Sequence, residues 1–75
     1  MIRVYVGTNV DKSAFDFTPD TTLRAAFEEA GVDYENGTPT LDGSSLKPGD
    51  LDKTFASFGI TQKCILLVVK NVKNA

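Results

Sequence analysis

The most apolar segment of the chain, CILLVVK at residues 64–70, constrains the fold more than any other feature. It is rich in β-forming residues and is apolar at both odd and even positions, which is typical of a strand at the centre of a sheet. The other strong strand candidate, IRVYV at residues 2–6, alternates between apolar and polar residues. If these two strands are neighbours, they must run parallel, because a crossover that contains a helix joins them.

The helix of that crossover follows an opening hairpin. Residues 13–18, SAFDFT, alternate like residues 2–6, and the polar residues 7–12 connect the two segments, so we expect an antiparallel pair. Residues 19–32 then change to a helical period. Asp20 or Thr21 is expected to cap the start of the helix, and Gly31 to end it in the left-handed conformation. The apolar stripe of this helix consists of Leu23, Ala26, Phe27 and Ala30.

The second half of the chain begins with a turn-rich stretch, residues 33–50. It has room for weak strands around residues 38–41 and 44–46, and Pro39 predicts that the first is an edge strand or a poor one. Residues 51–60, LDKTFASFGI, indicate a single helical turn that Gly59 closes. The chain is therefore predicted to be one α+β domain over residues 1–75, with one helix on a mixed sheet of four to five strands.

Composition and charge limit the classes of function. A chain of 75 residues with 41% hydrophobic and 24% charged residues is an ordinary small globular domain. The net charge of −2 gives no strong attraction to nucleic acid or to an anionic membrane, so neither is an expected partner. A single cysteine and an N-terminal stretch without a leader pattern predict a cytoplasmic protein.

The residues that usually carry catalysis are scarce. The chain has no histidine, so the serines lack the usual activating base. Cys64 lies at a strand start, where a small buried side chain is the more common role than a nucleophile. The acidic stretches at 33–37 and 49–52 do not complete a calcium-binding loop. We therefore expect a protein that is not an enzyme and that has no cofactor and no metal.

Three short segments resemble the ubiquitin-like β-grasp superfamily. TFASFGI at residues 54–60 is similar to the segment that leads into the last strand of that family, and FTPDTTL at 17–23 to the segment before its helix. ILLVVK at 65–70 is similar to the last strand itself, which ends in a basic residue. The resemblance implies a sheet in which the first and last strands are parallel and central, with the helix packed across it. It also implies recognition of proteins through the sheet face opposite the helix.

The resemblance leaves two alternative functions. Conjugating members of the family and its sulfur carriers end in Gly-Gly, whereas Lys73 and Asn74 occupy that place here, with Ala75 beyond them. Side chains at these positions do not fit the narrow channel that a Gly-Gly tail enters, so a modifier or sulfur carrier is the disfavoured alternative. An RNA-associated β-grasp module is the other, and the acidic balance weakens it. The favoured function is a non-catalytic module that binds an unidentified protein, as a monomer or weak homodimer.

The predicted binding surface rests on one assignment of faces. If Ile65, Leu67 and Val69 face the helix, a period of two places the intervening residues on the open side of the sheet. An exposed apolar patch rimmed by charge is typical of a protein-binding surface. An alternative is that residues 33–50, or a second copy of the chain, cover this patch. The predicted interaction residues are Arg3, Tyr5, Leu66, Val68 and Lys70.

Overall fold

The computed structural model of the chain describes residues 1–8 and 10–70, and for Lys70 the backbone only. Within these residues one α-helix, α1, spans Leu23–Ala30, and two short 3₁₀ helices span Pro48–Asp52 and Ala56–Phe58. Five strands form one sheet; they are β1 (Ile2–Thr8), β2 (Lys12–Phe17), β3 (Gly37–Leu41), β4 (Ser44–Ser45) and β5 (Lys63–Lys70). The order of these elements along the chain is the predicted one, except that the 3₁₀ helix Pro48–Asp52 was not expected.

The sheet has the order β2-β1-β5-β3-β4. β1 and β5 pair in parallel at its centre, and β2 joins β1 as the antiparallel arm of the opening hairpin. β3 runs antiparallel to β5 on the other side. The predicted α+β class, with parallel first and last strands in the middle of a mixed sheet, is confirmed.

Pro39 lies in β3, which has a neighbouring strand on both sides at only two of its residues. β3 pairs with β5 along its length but with β4 only at Thr40 and Leu41. The carbonyl oxygen of Pro39 accepts a hydrogen bond from the Leu46 N–H at 2.8 Å, on the β4 side. Because the N and C=O of one residue point to the same side of a strand, the missing N–H of Pro39 also points away from β5. The proline therefore removes no bond from the central ladder.

Helix α1 begins one residue later than predicted. Thr22, and neither Asp20 nor Thr21, is the N-cap: its Oγ1 accepts a hydrogen bond from the Ala25 N–H at 3.1 Å. The helix ends as predicted at Gly31, which has a φ of 71°. The N–H of Val32 returns to the carbonyl of Phe27 at 3.0 Å, which closes the last turn.

The core lies between α1 and one face of the sheet. Leu23, Ala26 and Phe27 supply the helix stripe, and Ala30 is half-buried beside them. Phe55 is fully buried and stacks on Phe17 with a centroid distance of 6.1 Å. The first 3₁₀ helix contributes Leu51. The sheet contributes six further large buried side chains, which are Ile2, Val4, Val6, Leu41, Leu66 and Val68.

The predicted assignment of faces on β5 is wrong. Leu66 and Val68 are 0% exposed and belong to the core, whereas Ile65 and Val69 are each 41% exposed. The cause is the parallel register, which aligns Val6 with Leu66 and therefore places the even-numbered residues of β5 on the same face as the buried residues of β1. Because both parities of β5 are apolar, the hydrophobic pattern alone does not distinguish its two faces.

Candidate protein-interaction surface

The sheet face opposite α1 carries a row of apolar side chains on β5. Tyr5 and Ile65 are register partners across the central parallel pair, so their side chains lie side by side on this face. Ile65 and Val69 are each 41% exposed, and Tyr5 and Leu67 are half-buried. We call this surface the open face; it consists of Arg3, Tyr5, Ala14, Asp16, Lys63, Ile65, Leu67 and Val69.

The structure places two of the five predicted interaction residues on the open face and two in the core. Arg3 and Tyr5 lie on the open face as predicted, whereas Leu66 and Val68 lie in the core on the opposite side. Lys70 is the last residue of β5, and its side chain lies outside the described part of the structure. The residues that the sequence analysis missed on this face are Lys63, Ile65, Leu67 and Val69. Cys64 is a small residue of a type that is commonly buried, and it occupies an even-numbered position of β5. Its position would have indicated that the even-numbered residues face the core and the odd-numbered ones the open face.

An ion pair forms one border of the open face. Arg3 Nε donates to Asp16 Oδ1 at 3.0 Å, across the antiparallel pair of β1 and β2. Both side chains are more than half exposed. The hydrogen bond to Asp16 and its negative charge raise the pKa of Arg3 above its ordinary value. Lys63, the register partner of Arg3 on β5, adds an exposed positive charge to this border.

Asp42 closes the opposite border by bonding the backbone of β5. Its N–H donates to the carbonyl oxygen of Ile65 at 2.8 Å, and its Oδ1 accepts the N–H of Ile65 at 2.8 Å. Asp42 and Gly43 form the two-residue turn between β3 and β4, and both have positive φ values of 50° and 87°. An aspartate tolerates this conformation better than most residues. The side chain thus continues the β3–β5 ladder one residue past the end of β3.

The turn-rich stretch 33–50 leaves the open face uncovered. Tyr34 stacks on Phe27 with a centroid distance of 5.6 Å, and Leu46 packs against the core. Both contacts are on the helix side of the sheet. The alternative in which this stretch covers the exposed residues Ile65 and Val69 is therefore wrong.

Cys64 is the one free thiol of the described residues, and it lies in the core with 3% of its surface exposed. Burial, with a smaller contribution from the charge of Asp42, raises the pKa of the thiol to about 11. Since the thiolate is the nucleophile, this environment holds the thiol in its unreactive form at neutral pH.

No group of three or more His, Cys, Asp or Glu residues in the described part of the chain is arranged to hold a metal ion. No described helix has the length and apolar character needed to cross a membrane.

Comparison with known proteins identifies the fold but no family. No protein-family model matches the sequence, and neither does any curated protein. Among solved structures, the chain is similar to a chain in the crystal structure of xenon-pressurized phenol hydroxylase from Pseudomonas sp. OX1, with a TM-score of 0.67 and 22% identity. The match covers 93% of this chain and 73% of that one. This protein has a β-grasp-like fold. At this identity the similarity carries the fold alone, and the function must be argued from the surface.

Proposed function

We propose that this protein is a non-catalytic interaction module that binds another protein through the open face. The observation that carries the proposal is the pair of large apolar side chains on a central strand, Ile65 and Val69, each 41% exposed. A strand that is apolar on both faces is typical of a sheet that is covered on both sides. Here the side of the sheet that faces the helix is packed. The other side carries an apolar row that is bordered, among the described residues, by the Arg3–Asp16 ion pair and by Asp42.

The make-up of the open face suits a protein partner. Protein interfaces combine an apolar and aromatic centre with a polar rim. The half-buried Tyr5 and Leu67 supply a centre beside Ile65, and the Arg3–Asp16 ion pair supplies a rim that contains both signs of charge. A rim of mixed sign favours a partner with complementary charges over a uniformly charged polymer such as RNA.

The matched structure offers a parallel for the proposed role. Because 93% of this chain corresponds to 73% of the matched chain, that chain is itself a small one, and it comes from the structure of a phenol hydroxylase. A small chain of similar fold in an enzyme structure is consistent with the role proposed here, in which a compact domain binds another protein.

The proposal is tested by removing the apolar side chains without disturbing the strand. The double substitution Ile65→Thr and Val69→Thr keeps β-branched residues, so the strand propensity is retained while apolar contact is lost. The matched control is Val10→Thr, which makes the same chemical change at a residue that is 87% exposed in the β1–β2 connection. Immobilised wild-type and variant chains are compared for proteins that they retain from extracts of the source cells.

The expected result is a specific protein that the wild type and Val10→Thr retain and the double variant loses. A buried apolar anchor is commonly worth 2 kcal/mol or more, or roughly thirtyfold in affinity. Equal retention by the double variant would show that the open face is not the binding surface.

A further inference from the structure

The outer edge of β2 is the longest unpaired strand edge in the described part of the sheet. β2 has six residues and stands at one end of the strand order, whereas β4 at the other end has two. Its register with β1 is unbroken from Phe17 to Lys12, so it contains no bulge. It also contains no glycine and no proline. A regular edge of this kind is a template for another strand.

The direction of the backbone groups on β2 follows from the bonds on the other side of β1. The N–H of Arg3 donates to the carbonyl of Gln62 at 2.8 Å. The backbone N–H and C=O groups of the odd-numbered residues of β1 therefore point toward β5, and those of the even-numbered residues point toward β2. The hydrogen-bonded pairs of the hairpin therefore join residues such as Val4 and Phe15. The intervening residues of β2 direct their N–H and C=O groups outward, away from β1; they are Lys12, Ala14 and Asp16.

Two of these outward residues carry opposite charges at equal distances from Ala14. Lys12 and Asp16 lie two residues on either side of it, on the same face of the strand. If a second β2 strand pairs antiparallel with Ala14 opposite Ala14, each Lys12 lies opposite the other copy's Asp16. This register also aligns the outward backbone groups, because each of the three residue pairs can exchange both of its hydrogen bonds. Opposite charges in directly facing positions stabilise a strand pair.

The side chains on the other face of β2 fit the same register. Ser13 of one copy lies opposite Phe15 of the other, so a small residue faces a large one. The two Phe15 side chains then become diagonal neighbours at about 7–8 Å, a separation that aromatic rings can bridge. Phe15 is half-buried in the single chain and stacks on Phe17 at 5.8 Å, so the second copy would extend an existing aromatic row.

We propose that the chain forms a twofold-symmetric dimer in which two β2 strands pair antiparallel, centred on Ala14, and join the two sheets into one. The contact uses the backbone edge of β2, and of the open face it involves only the border residues Ala14 and Asp16. It does not involve Tyr5, Ile65, Leu67 or Val69, so the dimer does not depend on the proposed partner binding. The other sheet edge cannot serve equally, because β4 has two residues and Pro39 removes an outward N–H from β3. Since an edge contact buries little area, the dimer is expected to be weak and concentration-dependent.

Sedimentation velocity over a concentration series is the first test. The wild type is expected to shift from the mass of one chain to that of two. Ala14→Pro removes an N–H that points outward, so it leaves the hairpin bonds intact and removes both bonds of the central pair. It is expected to weaken association at least about tenfold. Ala14→Ser, which retains the N–H, is the matched control and should associate like the wild type.

A charge exchange tests the register independently of the proline. Lys12→Glu places carboxylates opposite Asp16, and Asp16→Lys places ammonium groups opposite Lys12, so each variant alone should remain monomeric. A mixture of the two variants restores opposite charges at both positions and should form a heterodimer. Asp16→Lys replaces the Arg3–Asp16 ion pair with two like charges in facing positions, which is destabilising. The cost should be small because both side chains are exposed, and circular dichroism checks the fold.

Three outcomes would overturn the proposal. The first is a wild type that stays monomeric at every concentration, which would mean that Lys12 protects the edge against pairing. The second is association that Ala14→Pro leaves unchanged in the folded protein. The third is a pair of charge variants that each dimerise alone, or that fail to associate when mixed.

Discussion

Leu66 and Ile65 are neighbours in β5 that face opposite sides of the sheet: Leu66 is fully buried against the helix side, and Ile65 is 41% exposed on the open face. This assignment is the reverse of the one predicted from the hydrophobic pattern. It determines which residues stabilise the fold and which are exposed for binding. The two residues have side chains of the same size. They therefore offer a matched comparison of stability.

Leu66→Ala should destabilise the protein by about 2–5 kcal/mol, because it leaves a cavity in the closed core. Ile65→Ala should cost no more than about 1 kcal/mol, since it removes a partly exposed side chain from a strand. Urea unfolding of the two variants measures both values. A larger loss for Ile65→Ala than for Leu66→Ala would contradict the observed assignment of faces.

Thr22→Ala should destabilise the protein by roughly 0.5–2 kcal/mol, because the Ala25 N–H loses the hydroxyl that caps the helix. Thr22→Ser keeps an oxygen in place and should cost less. Thr21→Ala serves as the control, since the Thr21 hydroxyl contacts only Thr18 among the bonds found at this turn. Thermal unfolding ranks the three variants. An equal effect of Thr21→Ala would mean that the cap contributes little.

Asp42→Ala should destabilise the protein by about 1–3 kcal/mol, because the Ile65 N–H loses its acceptor and alanine is disfavoured at a φ of 50°. Asp42→Asn retains an acceptor oxygen and tolerates the left-handed conformation. It should recover most of the loss. Hydrogen exchange at the Ile65 amide distinguishes the two causes, since that amide should exchange faster in Asp42→Ala and stay protected in Asp42→Asn.

The Cys64 thiol should react slowly with a thiol reagent in the folded protein and rapidly in denaturant, because it is buried. Its folded pKa of about 11 lies above that of an exposed thiol. As the pH rises above about 9, the unfolded chain therefore loses the proton first, and the free energy of unfolding falls by up to about 1.4 kcal/mol per pH unit until the folded pKa is reached.

Cys64→Ala removes this titrating group and should reduce that slope. Unfolding curves at several pH values between 8 and about 11 compare the two proteins. Identical slopes would show that the thiol keeps its ordinary pKa in the fold. Rapid modification in the absence of denaturant would contradict its burial.

The sequence was sufficient for the element order, the parallel central pair and the helix ending at Gly31, because these depend on local period and turn chemistry. It was insufficient for the face assignment of β5. Leu66 and Ile65 are equally apolar, so only the register with β1 decides which is buried. The N-cap was missed for a related reason: Asp20, Thr21 and Thr22 are all capping residues, and tertiary contacts choose among them. Thr22 is the one that bridges to Thr54 beside the last 3₁₀ turn.

A map of amide chemical-shift changes tests whether the open face binds a protein. The isotopically labelled chain is titrated with the protein that the wild type retains from source-cell extract. We expect perturbations centred on Tyr5, Ile65, Leu67 and Val69, with weaker effects at Arg3. Perturbations confined to α1, to residues 33–36 or to the outer edge of β2 would contradict this expectation.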